Sequence, residues 1–541
     1  MKRLLMLIST SCQDECKEQK MSILVSTIAV LGAAVFASIL AGFIPRISVN
    51  YVCMFLGILI VAIGPLNHLI TQFDPEIFMY IVAPLIYFEG QTTRLNVVRR
   101  SLGKILGTAV VLVVAALICS GSLLSLLGIP AALAFLIASL STPTDATATA
   151  AVSSGLIVPK RQNDLLKMES LFNDASGIIL ITACTLWLQN GVFQYQWTIA
   201  HFFIEAIGGI LIGIAAALLM ITFRRGLQQL NSWAANAQNL LFIATPFVVY
   251  YLSERLHVSG IIAVVCAGLM QNSESVSSQF IHPRQYHNGI VLMGLMQEVL
   301  NNMVFVNLGI IISRVIYHDV ATNSYNSKWL LIGLSLYLIN LIIRYLYGRV
   351  VKMTRKGSLI FSLGGVRGAV TLALVYSIAG SVSGGQFNQI MLVETLVVLL
   401  SMLVPSIIFP FLLEHDISQK EVMQRVNSIK QEMVEEGLKA VEQIYLPPDV
   451  RDNVLYNLRD QQSANSLKKF WQHWLRASRQ PDLSPGEKEM EQRALRWAFR
   501  AEREYLDMIS QKENLRDYVY QLYNAVLLAE SILIDPDNEL R

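Results

Sequence analysis

Apolar residues fill most of this chain in long blocks. The blocks lie near 22–43, 50–66, 74–90, 102–127, 130–153, 165–187, 198–223, 237–253, 258–271, 287–316, 328–348, 355–381 and 388–413. A bilayer core of ~30 Å needs about 20 apolar residues in helical form, so the pattern predicts about thirteen membrane helices in a segment spanning 22–413. Past residue 413 the rhythm changes. Val422, Val426, Ile429 and Met433 recur at the spacing of one helix face, in a background of Glu, Lys, Arg and Gln. Pro447-Pro448 and Ser484-Pro485-Gly486 interrupt that helical pattern. Residues 414–541 therefore read as a helical domain outside the membrane. At the other end, residues 1–21 read as a tail: Lys2 and Arg3 precede an apolar run, Leu4 to Ile8, that is short for a signal-peptide core.

Composition agrees with the pattern. The 541 residues are 54% hydrophobic and only 15% charged, with a mean hydropathy of +0.49, which excludes an ordinary soluble globular protein. A net charge of +3 gives no reason to expect a nucleic-acid partner. Four of the six cysteines (Cys53, Cys119, Cys184 and Cys266) fall in apolar runs and read as small packing residues. Basic residues cluster in alternate loops: Arg46; Arg94, Arg99, Arg100 and Lys104; Lys160 and Arg161; Arg224 and Arg225; Arg284; Arg349, Lys352, Arg355 and Lys356. The positive-inside rule makes those loops cytoplasmic. An odd helix count then puts the N-terminus outside and the C-terminal domain in the cytoplasm.

Polar groups inside the apolar blocks carry the chemistry, because they are costly in hydrocarbon. The sixth block opens with Met168-Glu169-Ser170-Leu171-Phe172-Asn173-Asp174. Ser170 and Asp174 share one helix face, and Glu169 and Asn173 share the next. Two adjacent stripes of oxygen groups suit a monovalent cation or a proton; the plainer reading is a polar face packed on other helices. The fifth block contains Ser141-Thr142-Pro143-Thr144-Asp145, where proline removes a donor and disfavours helix before it. The twelfth contains Leu363-Gly364-Gly365-Val366-Arg367-Gly368, a single arginine among helix-loosening glycines. Each interrupted block is the middle of three, and the two triplets have opposite orientation. Such an inverted repeat with broken middle helices points to a transporter site near the midplane. Asp145 is placed to balance the positive helix ends at the crossing and Arg367 the negative ones. Glu89, closing the third block, reads as a partner of Arg94 or a gate to the ion path. Glu205, Glu298 and Glu394 read as structural pairing groups at helix or subunit interfaces.

With Phe88-Glu89, Thr144-Asp145, Glu169-Ser170…Asn173-Asp174 and Gly364-Gly365-Val366-Arg367-Gly368 in order on four blocks, residues 22–413 resemble the monovalent cation/proton antiporters of the NhaP and NHE type. The resemblance implies an all-α polytopic fold of thirteen helices, with inverted repeats and two crossed, unwound helices. It implies a homodimer in a cell membrane whose partners are a monovalent cation and a proton. By the same resemblance Asp174 binds cation or proton, Thr144 and Ser170 supply further ligands to Na+, and Glu89 joins directly or through water. Asn173 steadies the site, Asp145 compensates the crossing helices, and Glu169 pairs with Arg367. Relatives with two adjacent acids move two protons per cation; with Asn173 in the first of those positions, electroneutral one-for-one exchange is expected here. The chain departs from the family at Thr144-Asp145-Ala146, where many relatives carry Thr-Asp-Pro. No cofactor is expected beyond the transported ions. The remaining alternatives are K+/H+ antiport or, from another class, a cation channel. Neither HExxH nor GxSxG occurs, which argues against an intramembrane enzyme.

Overall fold

The computed structural model describes residues 25–43, 48–64, 67, 75–93, 95–193, 195–230, 234–278, 283–321, 328–415, 419–461, 484–510 and 516–534. The expected tail at 1–21 lies outside the described residues, as does Arg94. The chain forms two compact units, one ending at Asp416 and the other beginning at Ile417.

The first unit is built of helices: α1 (Val25–Phe43), α2 (Val49–Ala62), α3 (Pro75–Thr92), α4 (Leu95–Leu106), α5 (Val113–Leu126), α6 (Ala131–Leu140), α7 (Ala146–Val152), α8 (Lys160–Asn190) and α9 (Tyr195–Leu230). It continues through α10 (Ala234–Arg255), α11 (Gly260–Ser278), α12 (Pro283–Ala321), α13 (Lys328–Val350), α14 (Arg355–Leu363), α15 (Ala369–Ser377) and α16 (Gly384–Leu412). A wide π-helical turn, Gly107–Leu112, joins α4 to α5. Seven helices are long and apolar enough to cross a membrane, and four shorter apolar ones accompany them among the described residues. Several helices outrun their apolar blocks, α9 and α12 most clearly, because their polar ends continue the helix beyond the hydrophobic stretch. α9 turns Phe203, Ile204, Ile207, Leu211 and Leu219 outward, as a lipid-facing surface requires.

Both interrupted blocks are broken helices. The fifth splits into α6 and α7 around residues 141–145, and the twelfth into α14 and α15 around 364–368. In packing, α5 to α8 gather with α13 to α16, while α2 lies along α12 and α11 sits among α3, α9 and α10. A two-residue strand β1 (Leu156–Ile157), between α7 and α8, pairs antiparallel with β2 (Glu414–His415), which directly follows α16.

The second unit contains α17 (Gln419–Glu442), α18 (Pro448–Asp460), α19 (Pro485–Ser510) and α20 (Arg516–Ile534). The prolines that break the sequence pattern start two of these helices, and Ser484 donates its N–H and hydroxyl to Glu487 to cap α19. Its core joins Ile429, Met433 and Val434 to Val454, Ala498 and Phe499. None of its described helices is counted among the apolar spans.

Candidate functional site

The two breaks cross each other. Pro143 has no N–H to give a helix, so the chain leaves helical form after Leu140 and resumes it only where Asp145 caps α7. Asp145 Oδ1 accepts from the Thr147 N–H at 2.8 Å, the Ala148 N–H at 3.1 Å and the Thr147 hydroxyl at 2.6 Å. The Asp145 N–H donates to Val366 O at 2.8 Å, and the Thr149 hydroxyl donates to Gly364 O at 2.8 Å. The second break thus satisfies the backbone that the first leaves open. Arg367, buried at 2% exposure, closes the opposite side. Its Nε donates to Ser141 O at the end of α6 (2.8 Å) and its Nη1 to Gly365 O beyond the end of α14 (3.1 Å). Acid therefore sits at helix N-termini and base at C-termini, the arrangement helix dipoles favour. A Cβ on Gly368 would lie 1.8 Å from Asp145 Oδ2, so only glycine lets the second strand pass.

Beside the crossing, α8 presents its polar stripes. Asn173 Nδ2 donates to Thr144 Oγ1 at 2.8 Å, and the Thr144 and Ser170 hydroxyls lie 3.2 Å apart. Asn173 Oδ1 is buried without a hydrogen-bond partner among the described residues. Asp174 is 6% exposed, with Asp145 and Glu89 as the charges that act on it. Lys167 is the cation acting on Glu89. Asp174, Ser170, Thr144, Asn173 and Asp145 are thereby gathered at one place, with Glu89 in electrostatic reach. The cluster offers a carboxylate, hydroxyls and an amide oxygen without a partner among the described residues. That is a donor set for a hard monovalent cation as substrate.

One pairing implied by the resemblance needs correction. Glu169 does not pair with Arg367; its partner is Arg344 on α13. Arg344 Nη1 donates to Glu169 Oε1 in a very short contact, and Nη2 donates to Oε2 at 3.0 Å. Arg344 also reaches Phe361 O at 3.2 Å and lies over the Phe361 ring at 4.7 Å. A Cβ on Gly365 would sit 2.2 Å from Arg344 Nε, so that glycine makes room for the guanidinium. The physical reason for the exchange of partners is that Arg367 is already held by carbonyls at the crossing. Arg344 was legible only as an isolated arginine inside the eleventh block, five residues before the basic cluster that begins at Arg349.

Of the other three acids, two have the structural partners expected of them and one does not. Glu298 accepts from the Ser38 hydroxyl at 3.3 Å, and Glu205 lies 3.9 Å from His201. Glu394 was expected to pair structurally, yet both its carboxyl oxygens are buried without a hydrogen-bond partner among the described residues.

Comparison with known proteins shows the family to which the chain belongs. The family described as "Sodium/hydrogen exchanger, transmembrane" matches residues 20–415. A Bacillus pumilus protein named as a sodium, potassium, lithium and rubidium/H+ antiporter is 29% identical over 447 residues, covering 78% of this chain and 66% of its own length. An Escherichia coli K12 protein, described as an uncharacterized Na+/H+ exchanger, is 27% identical over 86% of this chain and 90% of its own. The solved structure of the sodium proton antiporter MjNhaP1 from Methanocaldococcus jannaschii superposes with a TM-score of 0.56 at 20% identity, over 72% of this chain and 98% of that one. That likeness concerns the fold alone: an all-helical polytopic architecture. With the family matched across most of its length, the chain belongs to the sodium/hydrogen exchanger family.

Proposed function

We propose that the protein exchanges a monovalent cation, Na+ first among the candidates, for H+ at Asp174. The observation that carries the proposal is the placement of this buried carboxyl beside Ser170, Thr144 and the unpartnered Asn173 Oδ1, at the crossing of two broken helices. A carboxylate neutralised by a proton has no charge left for a cation, so the two compete. Antiport follows when the site changes sides occupied by either ion but not empty. One carboxylate cannot fill the shell of a sodium ion, and the neighbouring hydroxyl and amide oxygens complete it. Asn173 carries no exchangeable proton, and both carboxyl oxygens of Glu169 are taken by Arg344. One proton then leaves for each cation that enters, and no net charge crosses.

The surrounding assignments follow from the same reading. Loops rich in Arg and Lys face the cytoplasm, as does the unit from Ile417. The exchanger sits in the cell membrane as a homodimer and serves pH and cation homeostasis. K+ is the second candidate cation, since the Bacillus relative's name includes potassium. The deciding experiment is dequenching of a pH dye in everted vesicles, adding Na+, K+, Li+ and Rb+ in turn. Dequenching by Na+ is expected. A cation conductance with no coupled proton movement would make the protein a channel.

A further inference from the structure

The oxygen cluster is assembled from two elements, and one of its dimensions is set between them. Ser170, Asn173 and Asp174 all lie on α8, where helical geometry fixes their mutual spacing. Thr144 comes from the break between α6 and α7, so its distance from the other three depends on how closely the break approaches α8. Hydrogen bonds draw it in: Asn173 Nδ2 donates to Thr144 Oγ1 at 2.8 Å, and the Ser170 hydroxyl lies 3.2 Å away. A hard contact stops it. Gly177, one helical turn beyond Asp174, is buried and faces the Pro143 ring. A Cβ on Gly177 would lie 2.7 Å from Pro143 Cγ and 3.3 Å from its Cδ, and 3.5 Å from Thr142 Oγ1. The first of these distances is closer than a real Cβ approaches another atom. A proline ring cannot swing aside as a flexible side chain does, because it is closed onto its own backbone nitrogen. Bulk added at Gly177 is therefore passed to the backbone of Pro143 and to Thr144 directly after it. On its other side Thr144 is tied to the crossing, through the Asp145 N–H and Val366 O at 2.8 Å.

We propose that the contact between Gly177 and Pro143 determines which alkali cation fits the site. Gly177 is a specificity-determining position: with no side chain of its own, it fixes how near Thr144 stands to the ligands on α8. Selectivity among cations of one charge depends on the size of the ligand cavity and on how rigidly its oxygens are held. Successive alkali cations differ in radius by a few tenths of an ångström. A methyl group at Gly177 displaces the ring by a comparable amount, because the contact has no slack to absorb it. A narrower gap between break and helix favours the smaller ion, and a wider one favours the larger. The contact carries no proton and no charge, so it leaves the one-for-one stoichiometry intact. The inference rests on the exchange reading above and names what selects its cation.

The test uses full-length Gly177→Ala, Pro143→Ala and the double variant, purified and reconstituted. Each is compared with wild type for KM and turnover with Li+, Na+, K+ and Rb+, and for melting temperature in detergent. Gly177→Ala pushes the break outward. The expected result is a preference between Na+ and K+ shifted roughly ten-fold toward K+, carried mainly by KM. Pro143→Ala removes the stop, and its preference should move the opposite way, toward Li+ and Na+. In the double variant the new methyl occupies room that the ring has left, so the preference should return toward wild type. Single variants that both keep the wild-type preference overturn the inference, as do shifts in the same direction in both. Equal loss across all four cations with a lower melting temperature, or failure of the variants to fold, overturns it as well, because that marks a packing contact alone. Wild-type protein that shows no cation-driven proton flux would instead overturn the exchange reading itself.

Discussion

The helix crossing and the oxygen cluster beside it lie one residue apart, at Asp145 and Thr144, yet they are built on opposite principles. At the crossing the ligands are spoken for. Asp145 Oδ1 takes three donors, and Arg367 joins two carbonyls. Glu169, one residue from Ser170, is likewise fixed by Arg344. In the cluster, Asn173 Oδ1 has no hydrogen-bond partner among the described residues, and the charges that act on the Asp174 carboxyl are those of Asp145 and Glu89. A polar network that is fully satisfied holds a backbone in an unusual shape. An unsatisfied one is a place for an ion that comes and goes. That difference is the ground for proposing Asp174, among several adjacent acids, as the exchanging one, a distinction that proximity alone does not make.

The sharpest way to break that comparison is to remove the open carboxyl. Asp174→Asn should reduce cation-driven proton flux by ~100-fold or more while the protein still folds and inserts, because an amide does not cycle a proton. Reconstituted flux together with a melting curve checks both halves; substantial flux in that variant would move the exchange chemistry to another acid.

The next effect falls on the satisfied side. Arg344→Ala leaves Glu169 as an uncompensated buried charge, and breaking such a pair costs about 3–5 kcal/mol. The melting temperature should fall markedly, and activity with it. A variant that loses activity at unchanged stability would place Arg344 in the ion site instead of the frame.

Much of this division was legible in the sequence, for local reasons. Pro143 and the glycines at 364, 365 and 368 announce broken helices through backbone chemistry that depends on no other part of the chain. The four-residue spacing of Ser170 and Asp174 announces a shared face. What stayed hidden depends on partners far away in the chain. Glu169 and Arg344 are 175 residues apart, and Arg344 sits near a basic cluster that explains arginine by membrane topology alone. The open state of Glu394 is hidden for the same reason: a missing partner has no local signature. The extra length of α9 and α12 escaped because hydropathy marks where a helix is apolar, not where it ends.

A smaller effect lies in the second unit, where a buried acid outside the membrane spans offers a control. Glu502 is fully buried, Gln461 donates to Oε1 at 3.3 Å, and Oε2 has no partner among the described residues. Burial pushes this carboxyl up to about 8, with the Gln461 hydrogen bond opposing. The unfolded chain loses the proton near the ordinary value of 4.5 and the folded one near 8, so between them the folded state binds more protons. Stability of this unit should be highest below that window, fall as pH rises through it and level off above. Glu502→Gln should remove the slope. Hydrogen-exchange protection of residues 494–506 in the full-length protein, corrected for intrinsic rates, reads it between about pH 5 and about pH 8.5. Equal slopes in both proteins would contradict the assignment.

The account's central claim is that one open carboxyl exchanges one proton for one cation. Its most direct test is Na+-driven proton flux in proteoliposomes with the membrane potential clamped at several values. Each net charge moved would couple turnover to the potential by ~2.3 kcal/mol per 100 mV. One-for-one exchange at a single carboxyl gives the same flux at every potential and no current on a solid-supported membrane. Flux that changes strongly with potential, or a current that scales with turnover, would contradict it by showing that a second carboxyl titrates in each cycle.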